Sequence, residues 1–393
     1  MRRTPHLVFG LLIAATAAAQ TPYAVGMHDA AWVNPTASGT PTLTARVCYP
    51  SPTGGVDAPI LPASHGWPVI VFLHGYSLVG SDYATLGAAW ASQGFAVVLL
   101  ETAQWDYGTL AADGAALFAA ITTGDPDEFF RDAFDCSRIG IAGHSMGAGS
   151  MGLLLGGNPG YRCALALAPL SPGAGPAAQV NVPFGLVAGT GDYITPPFVF
   201  SQPYYQAVAP ATGMKFFYLM NNSCGHMNLA GFAGAANPVF RRTNAIAVGF
   251  FRHFLDIDPN GLDQCVGPPA YLEPRLVGIS QQVVEPRVWA AGPFEINRTN
   301  RISVAAEEGL GGVLAALSTG AGTLTSVGIL LLDPMTAFSW ASGNADRMRR
   351  IDAFLYTPNN PALIGSSVAF QAIGPTTLNT LRLGSAAQFV VGQ

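Results

Sequence analysis

The sequence predicts an α/β protein, a mostly parallel sheet with helices on both faces, followed by a small all-β C-terminal domain. Three observations carry this expectation. Short apolar runs without alternation, at residues 69–73, 95–100, 139–143, 164–168, 184–188 and 215–220, read as strands buried on both faces. Helix-length stretches at 83–93, 114–122, 146–156 and 245–255 lie between most of these runs and after the last, and such alternation implies a parallel sheet. Beyond Cys265 the texture changes. A stretch with Pro268, Pro269 and Pro274 leads into strand-like runs at 313–317, 327–332, 351–356, 367–372 and 387–391, separated by Gly, Pro and Asn.

A chain of 393 residues exceeds what one hydrophobic core usually organises. The division that follows is 1–19, 20–266 and 267–393. The first segment has Arg2 and Arg3, an apolar run at 7–15, then Ala17, Ala18 and Ala19 ahead of Gln20, the pattern of a signal peptide cut after Ala19. The alternative, an anchoring helix, needs about 20 apolar residues, and this run is shorter. The expected location is therefore secreted or periplasmic, with no stable membrane span. The second segment opens with an antiparallel pair between Tyr23 and Tyr49, the later strand at 43–49. Half the residues are hydrophobic, 10% are charged and the net charge is -5. That excludes a basic footprint for nucleic acid and points to uncharged or weakly charged partners, with a monomer expected.

Export permits disulfides, and the five cysteines leave one over if two pairs form. Cys136 and Cys163 each precede a strand, at 139 and 164, at the same end of the sheet. Neighbouring strands lie about 4.8 Å apart, within the roughly 4.4–6.8 Å that a disulfide spans between Cα atoms, so this pair is expected. Cys224 with Cys265 is the second expectation, and Cys48 is left free. There is neither a Cys-x-x-Cys nor a His-Glu-x-x-His sequence, so no metal or other cofactor is expected.

The chemistry concentrates at Gly143-His144-Ser145-Met146-Gly147, between the run at 139–143 and the helix from Met146. In a Gly-x-Ser-x-Gly elbow the strand-to-helix turn is sharp, its neighbours are close, and the strained serine projects into the cleft. With 46 glycines in the chain the motif alone carries little weight; its context does. A serine hydroxyl needs a base, and that base needs an orienting acid. Asp192 follows the strand at 184–188, and His226 follows the strand at 215–220. The order Ser, Asp, His is that of the α/β-hydrolases. Asp192 has the rival reading of a turn residue, and His226 that of a loop histidine. The other histidines fit less well: His28 and His65 precede the parallel strands, and His253 lies in the last helix. Negative charge on a tetrahedral intermediate calls for backbone donors, expected from the N–H of Met146 and, in the loop His74-Gly75-Tyr76-Ser77, the N–H of Tyr76. His74 could alternatively be a second base, although a His-Gly pair here more often shapes the turn.

Residues from about 60 to 266 resemble the α/β-hydrolase group that contains bacterial cutinase-like polyester hydrolases, with chlorophyllases and dienelactone hydrolases as more distant relatives. The matching residues are Gly75-Tyr76, the elbow 143–147, Asp192 followed by Ile194, and His226. The resemblance implies an α/β-hydrolase fold, hydrolysis of a small-molecule or polymeric ester substrate through Ser145, Asp192 and His226, and an acyl site lined by Tyr76, Met146 and Ile194. This chain departs from the group at Leu170, where the polyester hydrolases carry tryptophan after Ala-Pro, and at His74, where they carry proline. Trp105, after the strand at 95–100, is expected to offer an aromatic ring from the other side. Two other readings stay open: the same triad acting on an amide, and a non-catalytic scaffold whose C-terminal module attaches the protein to a surface or partner.

Overall fold

The computed structural model describes residues 22–36, 41–102, 105–123, 127–157, 160–209, 214–256, 258, 261–282, 287–290, 294–305, 310–325, 328–344, 350–375 and 381–392. The expected signal peptide at 1–19 lies outside the described residues. Ten strands form one large mixed sheet. They are β1 (Ala24–Val33), β2 (Thr42–Ser51), β3 (Gly55–Val56), β4 (Trp67–Leu73), β5 (Ala96–Leu100), β6 (Phe134–His144), β7 (Ala164–Leu167), β8 (Phe184–Gly189), β9 (Lys215–Met220) and β10 (Leu276–Gln282). Their order is β10-β9-β8-β7-β6-β4-β5-β2-β1-β3. From β5 through β4 to β9 every pairing is parallel; β1 and β2 form the antiparallel opening pair. β10 pairs antiparallel with β9. It lies beyond residue 267 but belongs by its hydrogen bonds to the large sheet.

Strand residues point alternately to the two faces, and the apolar runs serve two cores accordingly. Val69, Val71 and Leu73 join Val98 and Ile141 on one face, under α2 (Tyr107–Thr122) and α3 (Met146–Gly157). Ile70 and Phe72 join Val97, Leu99 and Ala142 on the other, under α1 (Ala84–Ala91) and a longer helix, Pro238–Phe251. Local chemistry starts these helices. The Asp106 side chain accepts the N–H of Thr109 ahead of α2, and Asn237 accepts from Val239 and Phe240 with proline in the first turn behind it. Among the described residues no helix is long and apolar enough to cross a membrane.

The cysteine pairing expected from the sequence is overturned: all five are free thiols. The reason is register. β6 pairs with β4 at Pro68 with Asp135 and next at Val69 with Ile139, so residues 136–138 loop out between those pairs. Cys163 instead stands level with the middle of β6, its carbonyl accepting from Ile141 N–H at 3.0 Å. Cys136 is exposed, its Sγ 3.2 Å from the Ile121 carbonyl. Cys224 and Cys265 are both buried free thiols, and the Cys265 Sγ lies 3.4 Å from the Ile246 carbonyl.

Past the large sheet, ten further strands are described. Leu310–Ala316, Gly328–Leu332, Arg350–Thr357, Ser367–Pro375 and Leu381–Gly392 correspond to the expected runs. Arg287–Ala290, Phe294–Glu295, Arg298–Ala305, Thr319–Thr325 and Phe338–Asn344 are additional. A three-stranded and a five-stranded sheet share a separate core that includes Val288, Ile302 and Val304 from the first and Val313, Phe370 and Ala372 from the second.

Candidate active site

Ser145 forms the turn between β6 and α3 and holds a φ of 56°. A side chain in left-handed backbone costs roughly 1–2 kcal/mol, so the turn must be held from outside. The Ser145 N–H donates to the Leu167 carbonyl at 3.0 Å, and the Ser145 carbonyl accepts from Leu170 at 2.9 Å and Gly149 at 3.1 Å. The motif's glycines answer to close approach. A Cβ at Gly147 would sit 2.2 Å from the Leu73 carbonyl oxygen, and one at Gly143 would sit 2.6 Å from the Gly147 carbonyl carbon.

The loop after β8 supplies Asp192 and the loop after β9 supplies His226, both buried. They meet directly, His226 Nδ1 lying 2.7 Å from Asp192 Oδ2. The other carboxylate oxygen accepts the N–H groups of Ile194 at 2.9 Å and Thr195 at 2.8 Å. The Thr195 hydroxyl donates to Oδ2 at 2.7 Å and stands 3.1 Å from His226 Nδ1. Burial pushes the Asp192 pKa up, but the bonds from His226 and Thr195 and the nearby histidine charge outweigh it. The net shift is downward. An ionised Asp192 can only accept, which assigns the proton to Nδ1 and leaves Nε2 as the basic nitrogen. The His226 ring packs against that of His144, with centroids 4.5 Å apart, and His144 is joined in sequence to Ser145.

The loop after β4 closes over the same point. A Cβ at Gly75 would lie 3.3 Å from Ser145 Cβ, and the Gly75 N–H is engaged by the Tyr83 hydroxyl at 2.9 Å. The next amide along the loop belongs to Tyr76. Met146 opens α3, where first-turn N–H groups have no acceptor within the helix and the helix end favours negative charge. His74 is buried with its ring nitrogens 2.9 Å from the Gly75 carbonyl and 2.8 Å from that of Thr102, so its ring is tied between its own loop and the segment after β5.

The structure brings the expected contact residues to this end of the sheet. Tyr76 and Trp105 are exposed with ring centroids 6.0 Å apart, and the Trp105 indole N–H donates to the Leu78 carbonyl at 3.3 Å. Leu170 is half-buried and pinned through its backbone to Ser145, while its own carbonyl accepts the Tyr107 hydroxyl at 3.1 Å. Ile194 is exposed beside Asp192. Sequence reasoning missed three residues. Thr195 had a local signal, since a side-chain oxygen accepting backbone N–H groups two and three residues on is a recognised aspartate turn. Tyr83 and His144, linked at 2.9 Å, had none.

Residues 16–270 match the family described as PET hydrolase-like. The chain is similar to a bis(hydroxyethyl) terephthalate hydrolase of Streptomyces coelicolor, 27% identical over 43% of this chain and 54% of that protein. It is also similar to cutinase est1 of Thermobifida alba, at 28% over 49% and 63%, and to cutinase cut1 of Thermobifida fusca, at 26% over 49% and 58%. The matched stretch thus spans less than two thirds of each relative.

Proposed function

The chain belongs to the PET hydrolase-like family, and from that premise we propose that it is an exported serine hydrolase of carboxylic esters with an α/β-hydrolase fold. The observation that carries the reading is the buried bond between His226 Nδ1 and Asp192 Oδ2 beside a serine held at positive φ. In the proposed reaction Ser145 Oγ attacks the ester carbonyl carbon while His226 Nε2 takes the hydroxyl proton. The oxyanion is stabilised by the N–H groups of Tyr76 and Met146. Collapse expels the alcohol, which receives the proton from His226. Water then repeats the sequence on the acyl-Ser145 ester, releasing the acid and restoring the serine. Covalent labelling by a fluorophosphonate that maps to Ser145 tests this reading, and a scaffold without catalysis would not label.

The pH profile has a definite expected form. Asp192 is held below the usual carboxylate range, and burial with the neighbouring His226 depresses His144 to about 3. Neither takes up a proton as pH falls from about 8 to about 4.5, so neither adds a proton to the acid limb of kcat/KM. Activity falls as pH falls, with log rate declining at unit slope. A slope of two in initial rates would place a second titrating group in the site.

We read the substrates as short to medium aliphatic acyl esters ahead of aromatic polyesters, because leucine occupies position 170. A stacked aromatic contact contributes about 0.5–1.5 kcal/mol beyond burial, so Leu170→Trp should shift the ratio of aromatic to aliphatic polyester hydrolysis roughly threefold to tenfold toward the aromatic. An unchanged ratio would mean that this side chain does not meet the acyl group.

Residues 267–393 were expected to form an accessory domain, and the separate β core supports a second unit beginning after Gln282. Ending the chain after Gln282, which retains β10, should preserve turnover of a soluble p-nitrophenyl ester to within about twofold, since Ser145, Asp192, His226, Tyr76 and Met146 all precede it. Loss of that activity in a folded truncated protein would show that the β module takes part in the site. Export rests on residues 1–19, and a mature chain beginning at Gln20 is the expected product.

A further inference from the structure

Behind the site runs a second string of hydrogen bonds, separate from the one joining Asp192 to His226. The Gly75 N–H donates to the Tyr83 hydroxyl oxygen at 2.9 Å. That hydroxyl lies 2.9 Å from His144 Nδ1, and His144 Nε2 lies 3.1 Å from the backbone carbonyl of His226. Tyr83 and His144 are both fully buried. Phe232 packs edge-on against the Tyr83 ring at 5.2 Å.

The protons in this string have one consistent arrangement. A carbonyl oxygen can only accept, so Nε2 of His144 carries a hydrogen. Burial and the neighbouring His226 keep the His144 ring neutral, so Nδ1 is bare and accepts from the tyrosine. Burial likewise raises the Tyr83 pKa and keeps its O–H intact. Each link then has one donor and one acceptor, and no member is left over.

The two ends of the string are what give it meaning. One end is the backbone of the loop that carries Tyr76, and the other is the backbone of the base. Only long-range packing sets their relative position, because more than a hundred residues separate Gly75 from His226 in the chain. Asp192 and Thr195 fix the His226 ring from its far side, whereas the string reaches its main chain through the residue before the nucleophile.

We propose that Tyr83 and His144 are positioning residues that hold the oxyanion loop and the base histidine in one frame across the serine elbow. The proposal rests on the reading of Ser145, His226 and Tyr76 given above. Neither side chain touches the reacting atoms. Both act through what they hold, where a displacement of about 1 Å costs on the order of a hundredfold in rate.

The test is Tyr83→Phe in the full chain, which keeps the ring packed and removes the hydroxyl. Turnover of a p-nitrophenyl ester is normalised to active sites titrated to completion with a fluorophosphonate. The expected result is a fall of roughly tenfold to a hundredfold in kcat per titrated site, with KM within about twofold. A residue that merely stabilised the fold would lower the number of titratable sites and leave kcat per site intact. A second comparison covers the case in which that variant does not fold. His144→Gln can retain a donor toward the His226 carbonyl, whereas His144→Leu fills similar space without one, so the glutamine variant should keep the higher kcat per site. Tyr83→Phe within about twofold of wild-type kcat per site, or leucine equal to glutamine, overturns the proposal. If Ser145→Ala retained activity in the same assay, the nucleophile assignment would fail instead. An inactive Ser145→Ala beside a fully active Tyr83→Phe would sink the positioning role alone.

Discussion

Replacing Ser145 by alanine is expected to lower kcat for a soluble ester by roughly a hundred-thousandfold to a millionfold. Removing the nucleophile of a serine triad forfeits the covalent pathway, and the remaining groups cannot substitute because they act as a unit with it. The residual rate comes from oxyanion stabilisation and binding alone. The fold should tolerate the change. Ser145 is held at its φ of 56° by backbone bonds to Leu167, Leu170 and Gly149, none of which involves its hydroxyl. Circular dichroism should therefore match wild type while fluorophosphonate labelling disappears. A folded variant keeping more than about a tenth of wild-type kcat would remove Ser145 from the reaction.

The second large effect is expected at Asp192→Asn, a change of charge with almost no change of shape. Asp192 Oδ1 receives two backbone N–H groups, from Ile194 and Thr195, so an asparagine must place its carbonyl oxygen there. Its NH2 group then falls at the position of Oδ2, 2.7 Å from His226 Nδ1. An NH2 group donates and cannot accept, which forces Nδ1 to become the acceptor and moves the ring proton to Nε2. The base then carries a proton where it must receive one. Loss of the orienting acid in this way lowers kcat by roughly a thousandfold to ten-thousandfold. Pre-steady-state measurement should show both acylation and KM-independent turnover slowed; a variant within about tenfold of wild type would mean that Asp192 serves the turn rather than the base.

The parts of this molecule legible in the sequence are those whose physical cause is local or periodic. A strand buried on both faces must be apolar at every position, so runs such as 69–73 and 184–188 stand out. The elbow is legible for a similar reason, because two glycines and a strained serine at fixed spacing are demanded by a turn only a few residues long. The strand Phe338–Asn344 was missed because it mixes Ser, Gly and Asn with Phe and Trp and has no clean period. The strand Leu276–Gln282 was not expected and lies beyond the boundary placed at residue 267, since proline marks a break in the chain but says nothing about which sheet the next strand joins.

Ser145, Asp192 and His226 were identifiable as candidates from order and spacing, because each follows a strand in a pattern set by chain connectivity. Their relation to one another was not. That the Asp192 carboxylate also accepts from Thr195, that Gly75 spends its N–H on Tyr83, and that His144 bonds the His226 carbonyl depend on side chains brought together from distant strands. The cysteines show the limit most clearly. Adjacency of β6 and β7 could be reasoned from the sequence, but the outlooped residues 136–138 shift Cys136 out of line with Cys163, and both remain thiols. Sequence by itself determined the strands buried on both faces, the serine elbow and which residue types are available for chemistry, since these follow from burial pattern and local turn geometry. Only the tertiary structure decided register and hydrogen-bond partners, because those are set by packing between strands and loops far apart in the chain, where a shift of one residue changes every contact.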